Sequence, residues 1–281
     1  MKNNRYTRIR NLFVLPSILG MSIFLGIPYA YIILRSFTSN NLTELSFENY
    51  KDVLKNSSFV LANKNTCIFM ILALSIMIIL AIFLSYIIFE FVKNRKLLKI
   101  IILIPTLLPI STLIVVWNFI FDKFGILNKY IYPGGGGIDW IDSKYALIVL
   151  IFGFLWRNIG FSIILLLTGM ETVPKEILES GQIDGVSFWK KLYYIVLPSI
   201  DKYFIFIIIF GMANALKIHR DIYLLAGEYP HKSIYMVQNL LNSWFINLQI
   251  DKLSAGAVIE LIVLLIPILF MFRMIEVKLH K

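Results

Sequence analysis

The apolar residues of this chain fall into six long runs, each bounded by polar or basic segments. A helix needs about 20 apolar residues to cross a hydrocarbon core of about 30 Å, and most of the runs reach that length. The pattern therefore predicts an all-α integral membrane protein, one domain over residues 1–281, with spans at residues 12–37, 66–91, 97–121, 145–170, 203–218 and 253–275.

The segments between the runs differ in character. Residues 38–64 are polar and indicate a short amphipathic helix, and residues 222–251 mix aromatic and polar residues as a folded interfacial loop does. Gly134–Gly137 lies in a loop at residues 122–143 and predicts a flexible tip. The third run contains Pro105 and Pro109, which are tolerated where neighbouring groups bond the freed carbonyls.

The composition agrees with a chain surrounded by lipid. Hydrophobic residues make up 58% and charged residues 16% of the sequence, against about 45–50% and about 25% in soluble domains. The formal charge of +10 could indicate nucleic-acid binding. In a membrane protein it is more typical of cytoplasmic loops, so we expect the bilayer as a partner and no nucleic acid.

The orientation follows from the basic residues. Six spans place both termini on one side, and the short segments on that side carry more Lys and Arg than the opposite loops. The first tail is purely basic, with Lys2, Arg5, Arg8 and Arg10. The positive-inside rule therefore predicts a multi-pass protein of the cell membrane with both termini, and residues 171–200, in the cytoplasm.

Residues 171–200, here called the coupling loop, form the one long polar segment that is not a loop tip. Pro174 favours a helix start, and Asp184-Gly185 predicts a turn because glycine reaches positive φ without penalty. Ser187 suits the N-cap of a second short helix, which Pro198 is expected to end. The segment predicts a helix–turn–helix on the cytoplasmic surface.

This segment resembles the EAA loop of bacterial ABC importer permeases, whose pattern is E-A-A-x3-G-x9-I-x-L-P. Glu179, Gly185, Ile195, Leu197 and Pro198 match it, whereas Ser180 and Gly181 stand where the family has alanines. The likeness continues along nearly the whole chain and is similar to the maltose-type, MalF-like members of the carbohydrate-uptake branch. The positions that carry it are Asn65-Thr66, Pro105, Pro109, Trp117, Gly125–Asn128, Trp156, Gly160-Phe161, Ala215–Lys217, Ile222–Leu225, Tyr229–His231 and Ser233–Tyr235.

The resemblance implies the type I ABC importer permease fold and a transport role for a sugar or oligosaccharide. It implies four kinds of partner: a second permease, two ATPase subunits, an extracellular solute-binding protein and the bilayer. ATP and Mg²⁺ would be bound by the ATPase subunits, and this chain would bind no cofactor and be no enzyme. The residues implied in ATPase coupling are Glu179, Ser180, Gly181, Asp184, Gly185, Phe188, Ile195, Leu197 and Pro198.

The resemblance also implies a substrate path. The positions carried over from maltose-type relatives are Arg157, Asn158, Phe161, Gly211, Ala215 and Ile218, with Asn214 and Lys217 beside them. An ionisable residue within the membrane usually faces a cavity or another charge. Arg157 therefore has two interpretations, a path residue, or a side chain that reaches the outer interface or pairs with Glu260, for which a structural role is favoured.

Other classes remain open alternatives. The chain could be an ABC permease for another small solute, or an ion-coupled secondary transporter, which typically shows inverted repeats and acidic relays. A membrane-embedded enzyme would need clustered His, Asp or Cys, and the sequence has one cysteine and histidines on separate segments, so no metal site is predicted. No Walker-type G-x-x-x-x-G-K-[ST] motif occurs in the sequence.

Overall fold

The computed structural model describes residues 13–38, 45–134 and 136–279, so the basic tail at residues 2–10 and His280 lie outside the described residues. The helices in chain order are α1 (Phe13–Ser36), α2 (Glu48–Lys55), α3 (Ser57–Phe91), α4 (Lys96–Leu107), α5 (Ile110–Phe121), α6 (Ile126–Ile131), α7 (Ala146–Met170), α8 (Lys175–Ile183), α9 (Phe188–Lys191), α10 (Leu197–Ser199), α11 (Asp201–Ala215), α12 (His219–Ala226), α13 (Val237–Ile246) and α14 (Ile250–Leu279). Across these ranges the extended structure is limited to one bridge between Thr38 and Leu45.

Among the described residues, six helical segments are long and apolar enough to cross a membrane, which confirms the all-α membrane fold class. They are Phe13–Ser36, Ser57–Phe91, Ile110–Ile131, Ala146–Met170, Asp201–Ala226 and Ile250–Phe270. Two of them differ from the predicted bounds in ways that matter for the candidate sites.

The predicted third span, residues 97–121, is two helices rather than one. Helix α4 ends at Leu107, and both Leu108 and Pro109 have ψ near 139°. The cause is Pro109, which disfavours helical geometry in the residue before it and has no N–H for a helical bond. Pro105 stays inside α4. The Thr106 hydroxyl donates to the Arg157 carbonyl at 2.7 Å and joins α4 to α7.

The fifth span extends further than the predicted residues 203–218. Helix α11 continues through a 3₁₀ turn (Leu216–Ile218) directly into α12, which ends at Gly227 with φ +77°. Arg220 and Asp221, which lie beyond the predicted end of the fifth span, are therefore within the helical segment.

The chain divides into two compact units, residues 1–60 with 240–267 and residues 61–239 with 268–281. In the first unit, Arg35 and Asp251 form an ion pair with 2.7 Å between Nε and Oδ1. Phe59 stacks on Trp244 with ring centroids 6.1 Å apart, and Glu260 is buried. The assignment of one domain over residues 1–281 stays a prediction.

The second unit holds the larger core and both candidate sites. Its buried side chains come from α3, α7, α11 and α12 and include Phe69, Phe154, Met170, Ile207 and Ile222. Three glycines let these helices approach closely. A Cβ at Gly160 would overlap the Ile102 carbonyl, one at Gly169 would lie 2.7 Å from the Tyr203 ring, and one at Gly211 would lie 2.5 Å from Leu74.

The loop between α6 and α7 is organised by one buried amide. Asn128 Nδ2 donates to the carbonyls of Asp122, Lys123 and Ile138, and its Oδ1 accepts from Ile138 N and Trp140 Nε1. Backbone polar groups without a regular partner in this loop are therefore satisfied by one side chain. The flexible tip predicted at Gly134–Gly137 stays a prediction, and residue 135 lies outside the described residues.

We predict that Gly160→Ala destabilises the protein, because its methyl group would meet the Ile102 backbone, which cannot move aside as a flexible side chain can. Overpacking of this kind costs about 1–3 kcal/mol, more than the roughly 1 kcal/mol that alanine gains in a helix. Gly20→Ala is the control, since no atom lies within 4 Å of its Cβ position. Thermal unfolding of the purified chain in detergent should give a lower Tm for Gly160→Ala only; equal Tm values would contradict the close approach.

Candidate functional site

The first half of the coupling loop ends in a defined helix stop. Gly185 has φ +66°, the left-handed region that favours glycine. Val186 N donates to Gly181 O at 2.9 Å, and Asp184 N donates to Ser180 O at 2.9 Å. A six-to-one bond closed on a left-handed glycine is the Schellman arrangement. The predicted Asp184-Gly185 turn is confirmed, and it fixes the direction in which the chain enters its second half.

The two faces of α8 differ in exposure. Glu179, Ser180 and Asp184 are exposed, and the exposed apolar side chains Ile177 and Ile183 lie on the same short helix. Gly181 is buried, and a Cβ there would lie 2.9 Å from Ile195 Cδ1. The glycine that replaces the family's alanine thus sits where the two halves of the loop touch.

The second half of the loop runs as α9, a π-helical turn (Leu192–Val196) and α10. The sequence predicted that Pro198 would end this helix, and this was wrong by a short margin, since the helical run passes Pro198 and stops after Ser199. Pro198 stands in the first turn of α10, where its missing N–H has little effect. Ile195 and Leu197 are half-buried against the core, whereas Pro198 is exposed.

A clamp joins this second half to the end of α3. The Tyr86 hydroxyl donates to the Phe188 carbonyl at 3.0 Å, and the two rings lie 4.5 Å apart. Lys191 Nζ lies 2.8 Å from Glu90 Oε1, and the Lys191 side chain is only 7% exposed. Trp189 stacks on Phe83 at 6.2 Å. Phe188 and Trp189 both pack against α3.

A second set of charges fixes the entry to the loop. Glu171 lies 3.1 Å from both Arg95 Nη1 and Lys99 Nζ. Partial burial opposes ionisation of Glu171, but hydrogen bonds from Lys99 and Arg95 outweigh it and lower the pKa of this carboxyl. Glu171 therefore stays ionised at neutral pH and ties the end of α7 to the start of α4.

The other candidate site is a small recess within the second unit, here called the polar recess, with a volume of about 60 Å³. Arg157 lies 3.6 Å from Asp221, measured from Nη1 to Oδ1. Glu260 was predicted as a possible partner of Arg157, whereas the observed partner is Asp221. The lining residues are Ile110, Phe154, Arg157, Asn158, Asn214, Lys217, Arg220 and Asp221.

The predicted path residues divide into two groups. Arg157, Asn158, Asn214 and Lys217 come together in the polar recess. The remaining four, Phe161, Gly211, Ala215 and Ile218, pack against neighbouring helices. The Phe161 ring lies 4.1 Å from that of Phe210, and the other three are buried. Substrate contact by any of these eight residues stays a prediction.

Several residues of these sites were missed from sequence. Arg220 and Asp221 lie beyond the predicted end of the fifth span, because three consecutive polar residues normally end a span. Only the helix-compatible pattern of the following Ile222–Leu225 could have extended the prediction. Glu90 and Lys191 are about a hundred positions apart and share no local pattern. Over the described part of the chain, no group of three or more His, Cys, Asp or Glu could hold a metal ion.

Residues 92–280 match the family model described as "Binding-protein-dependent transport system inner membrane component". The chain belongs to this permease family. The predicted relation to ABC importer permeases is therefore confirmed, and the family is a transport component rather than an enzyme. With six apolar helices in the part of the chain that the structure describes, the permease is a multi-pass membrane protein.

Individual relatives cover much of the permease. It is 24% identical over 279 residues to the sn-glycerol-3-phosphate transport system permease protein UgpA of Agrobacterium fabrum, spanning 96% of this chain and 95% of that one. It is 26% identical over 189 residues to the trehalose/maltose transport system permease protein MalF of Thermococcus litoralis, spanning 66% and 64%. Among solved structures, a chain of a bacterial ABC transporter that imports the acidic polysaccharide alginate matches with a TM-score of 0.85, 19% identity and coverage of 97% and 96%.

We predict that Gly181→Ala is tolerated and raises the Tm of the purified permease. Alanine gains up to about 1 kcal/mol over glycine inside a helix, and the atom it would approach is the flexible end of Ile195. Gly181→Val is the matched variant with a larger side chain. Its two methyl groups need more room than a shift of the Ile195 side chain can provide, so this variant should lower the Tm. A lower Tm for Gly181→Ala would show that the contact with Ile195 is rigid.

We predict that removing one charge of the Glu90–Lys191 pair destabilises the permease more than removing both. Lys191→Met leaves Glu90 without its cation, and breaking a buried pair on one side costs up to about 3–5 kcal/mol. Lys191→Met should therefore lower the Tm more than Lys191→Met combined with Glu90→Gln, whereas the exposed control Lys190→Met should change little. Additive losses in the double variant would contradict the pair.

Proposed function

We propose that this permease is one transmembrane subunit of an ATP-driven importer of a sugar or oligosaccharide, and that its coupling loop receives the motion of a cytoplasmic ATPase. The observation that carries the proposal is the coupling loop itself. Glu179 and the apolar side chains of Ile177 and Ile183 are exposed on its first half, and its second half is clamped to α3 through Phe188 and Lys191. A surface that is both exposed and rigidly backed suits the transmission of force.

The orientation proposed for the loop rests on charge. Lys and Arg concentrate in the short segments on the side of the termini, which the positive-inside rule assigns to the cytoplasm. In that orientation the loops that contain Asn128 and Pro230 face outward. They would meet the external solute-binding protein, in a cell membrane of bacterial type.

ATP binding and hydrolysis are assigned to other subunits. The sequence has no Walker-type phosphate-binding loop, so ATP and Mg²⁺ would be bound and used by two separate ATPase subunits and this chain would hold no cofactor. Glu179 would pair with a basic residue of the ATPase groove, where a charge-assisted bond gains strength from partial removal of water. The Schellman stop at Gly185 and the clamp keep the loop from deforming, so that it moves with the helices that it joins.

The names of several relatives support the transport of a sugar-like solute. Relatives include a trehalose/maltose permease and the arabinooligosaccharide permease AraP of Bacillus subtilis, 26% identical over 225 residues. A structural neighbour with a TM-score of 0.82 belongs to an alginate transporter in complex with a pentasaccharide-bound periplasmic protein. By analogy, a second permease would complete the path and a binding protein would deliver the solute. Another small solute remains the alternative, since the UgpA relative is named for sn-glycerol-3-phosphate.

We predict that Glu179→Ala and Gly185→Val each reduce the ATPase that co-purifies with the tagged permease by about tenfold, the effect of losing 1.4 kcal/mol at the interface. Glu179→Ala removes the charge, and Gly185→Val removes the left-handed stop. Glu176→Ala is the matched control, an exposed glutamate one turn earlier on α8. Co-purification would be measured by ATP hydrolysis in the eluate.

Two results would contradict the proposal. One is a permease that retains its ATPase equally well in all three variants. The other is a single purified chain that moves solute into vesicles in the absence of any ATPase subunit.

A further inference from the structure

The polar recess has an unbalanced charge. Three of its lining residues are cations, Arg157, Lys217 and Arg220, and only one is an acid, Asp221. Its other polar groups are the amides of Asn158 and Asn214. Ionisable groups inside a membrane span are expensive to keep unless they serve a function, and two cations here have no acid among the recess-lining residues to neutralise them.

The single ion pair in the recess is loose. Arg157 and Asp221 are 3.6 Å apart at their nearest oxygen and nitrogen, longer than the roughly 2.7–2.9 Å of a charge-assisted hydrogen bond. The Arg157 side chain keeps 33% of its surface exposed and Asp221 keeps 18%. Asp221 thus offsets part of the positive charge of the recess, and N–H donors of the Arg157 guanidinium stay available to a ligand.

The cations are held on two different supports. Arg157 is on α7, whose backbone is fixed at the same residue by the Thr106 hydroxyl and one turn later by the contact of Gly160 with Ile102. Lys217 is in the 3₁₀ turn and Arg220 is one position into α12. Groups from two packed supports converge on one space, which is how binding sites in helical membrane proteins are built.

We propose that the polar recess binds an oxyanion group of the transported solute, a carboxylate, phosphate or sulfonate, through Arg157, Lys217 and Arg220, with Asp221 as the internal counter-ion that the anion displaces. The permease would therefore carry an acidic rather than a neutral sugar. This inference rests on the proposed transport function and narrows its substrate class. Arginine suits the role because its planar fork matches the geometry of such groups.

Neutralising a cation of the recess and neutralising Asp221 should change the KM for an acidic solute in opposite directions. Neutralising a cation removes attraction for the anion, so Lys217→Gln and Arg220→Gln should each raise the KM for an acidic solute about tenfold, the equivalent of one charge-assisted hydrogen bond. Asp221→Asn removes the competing anion and should lower that KM. A residue with a merely structural role would harm transport in one direction only.

The experiment uses the complete importer with its binding protein, reconstituted in proteoliposomes and supplied with ATP inside. Matched pairs of labelled solutes serve as probes: glucose against glucuronate and glucose 6-phosphate, and digalacturonate against maltose. The carboxylate and phosphate arms separate the two chemical sources of the anion. Lys129→Gln and Asp142→Asn, exposed residues outside the recess, are the charge-matched controls. Lys217→Arg and Arg220→Lys test rescue, and size-exclusion chromatography confirms assembly.

Uptake of an acidic probe over its neutral partner, with KM raised by Lys217→Gln and lowered by Asp221→Asn, supports the proposal. Preferential uptake of the neutral partner, or KM values for acidic probes that do not respond to these variants, overturns it while leaving ATP-driven sugar import intact. The absence of ATP-dependent uptake for every probe, together with the absence of an associated ATPase, would overturn the proposed function itself.

Discussion

The close packing of α7 against α4 and against the start of α11 is the constraint on which both candidate sites depend. Gly160 permits the first contact and Gly169 the second, since a methyl group at either position would overlap a neighbour. Both glycines are on α7, and α7 is followed directly by the coupling loop. Helix α7 carries Arg157 into the polar recess and leads at its end into Glu171 and the coupling loop. Small side chains are what let helices pack closely in lipid, where burial of apolar surface gives no driving force.

The break at Leu108 and Pro109 complements this packing. Helix α4 is bound to α7 through the Thr106 hydroxyl, and the chain then changes direction so that Ile110 reaches the polar recess. A continuous helix would have kept the axis of α4 beyond Leu107. The two prolines therefore have different effects, because Pro105 lies inside a helix whereas Pro109 separates two.

Local features were predictable from sequence and long-range contacts were not. The turn at Gly185 depends on a few neighbouring residues, and the sequence therefore indicated it, as it did the apolar runs. The clamp of Tyr86, Glu90 and Lys191 depends on side chains far apart in the chain that carry no shared pattern. Asp221 shows a different limit. Hydropathy alone cannot tell a charged residue that leaves the membrane from one that faces a water-filled recess within it.

The contact between Gly169 and Tyr203 has a mechanical consequence. It joins α7 and α11 near the ends that meet the coupling loop, while Arg157 in the middle of α7 faces Asp221 on α12. At 1.5 Å per residue, Arg157 stands about 18 Å from Gly169 along α7. We expect the two helices to pivot about this contact. A relative tilt of about 5° would then displace Arg157, at that distance, by about 1.5 Å. A displacement of that size would separate Arg157 from Asp221. A small movement of the coupling loop would therefore widen the polar recess.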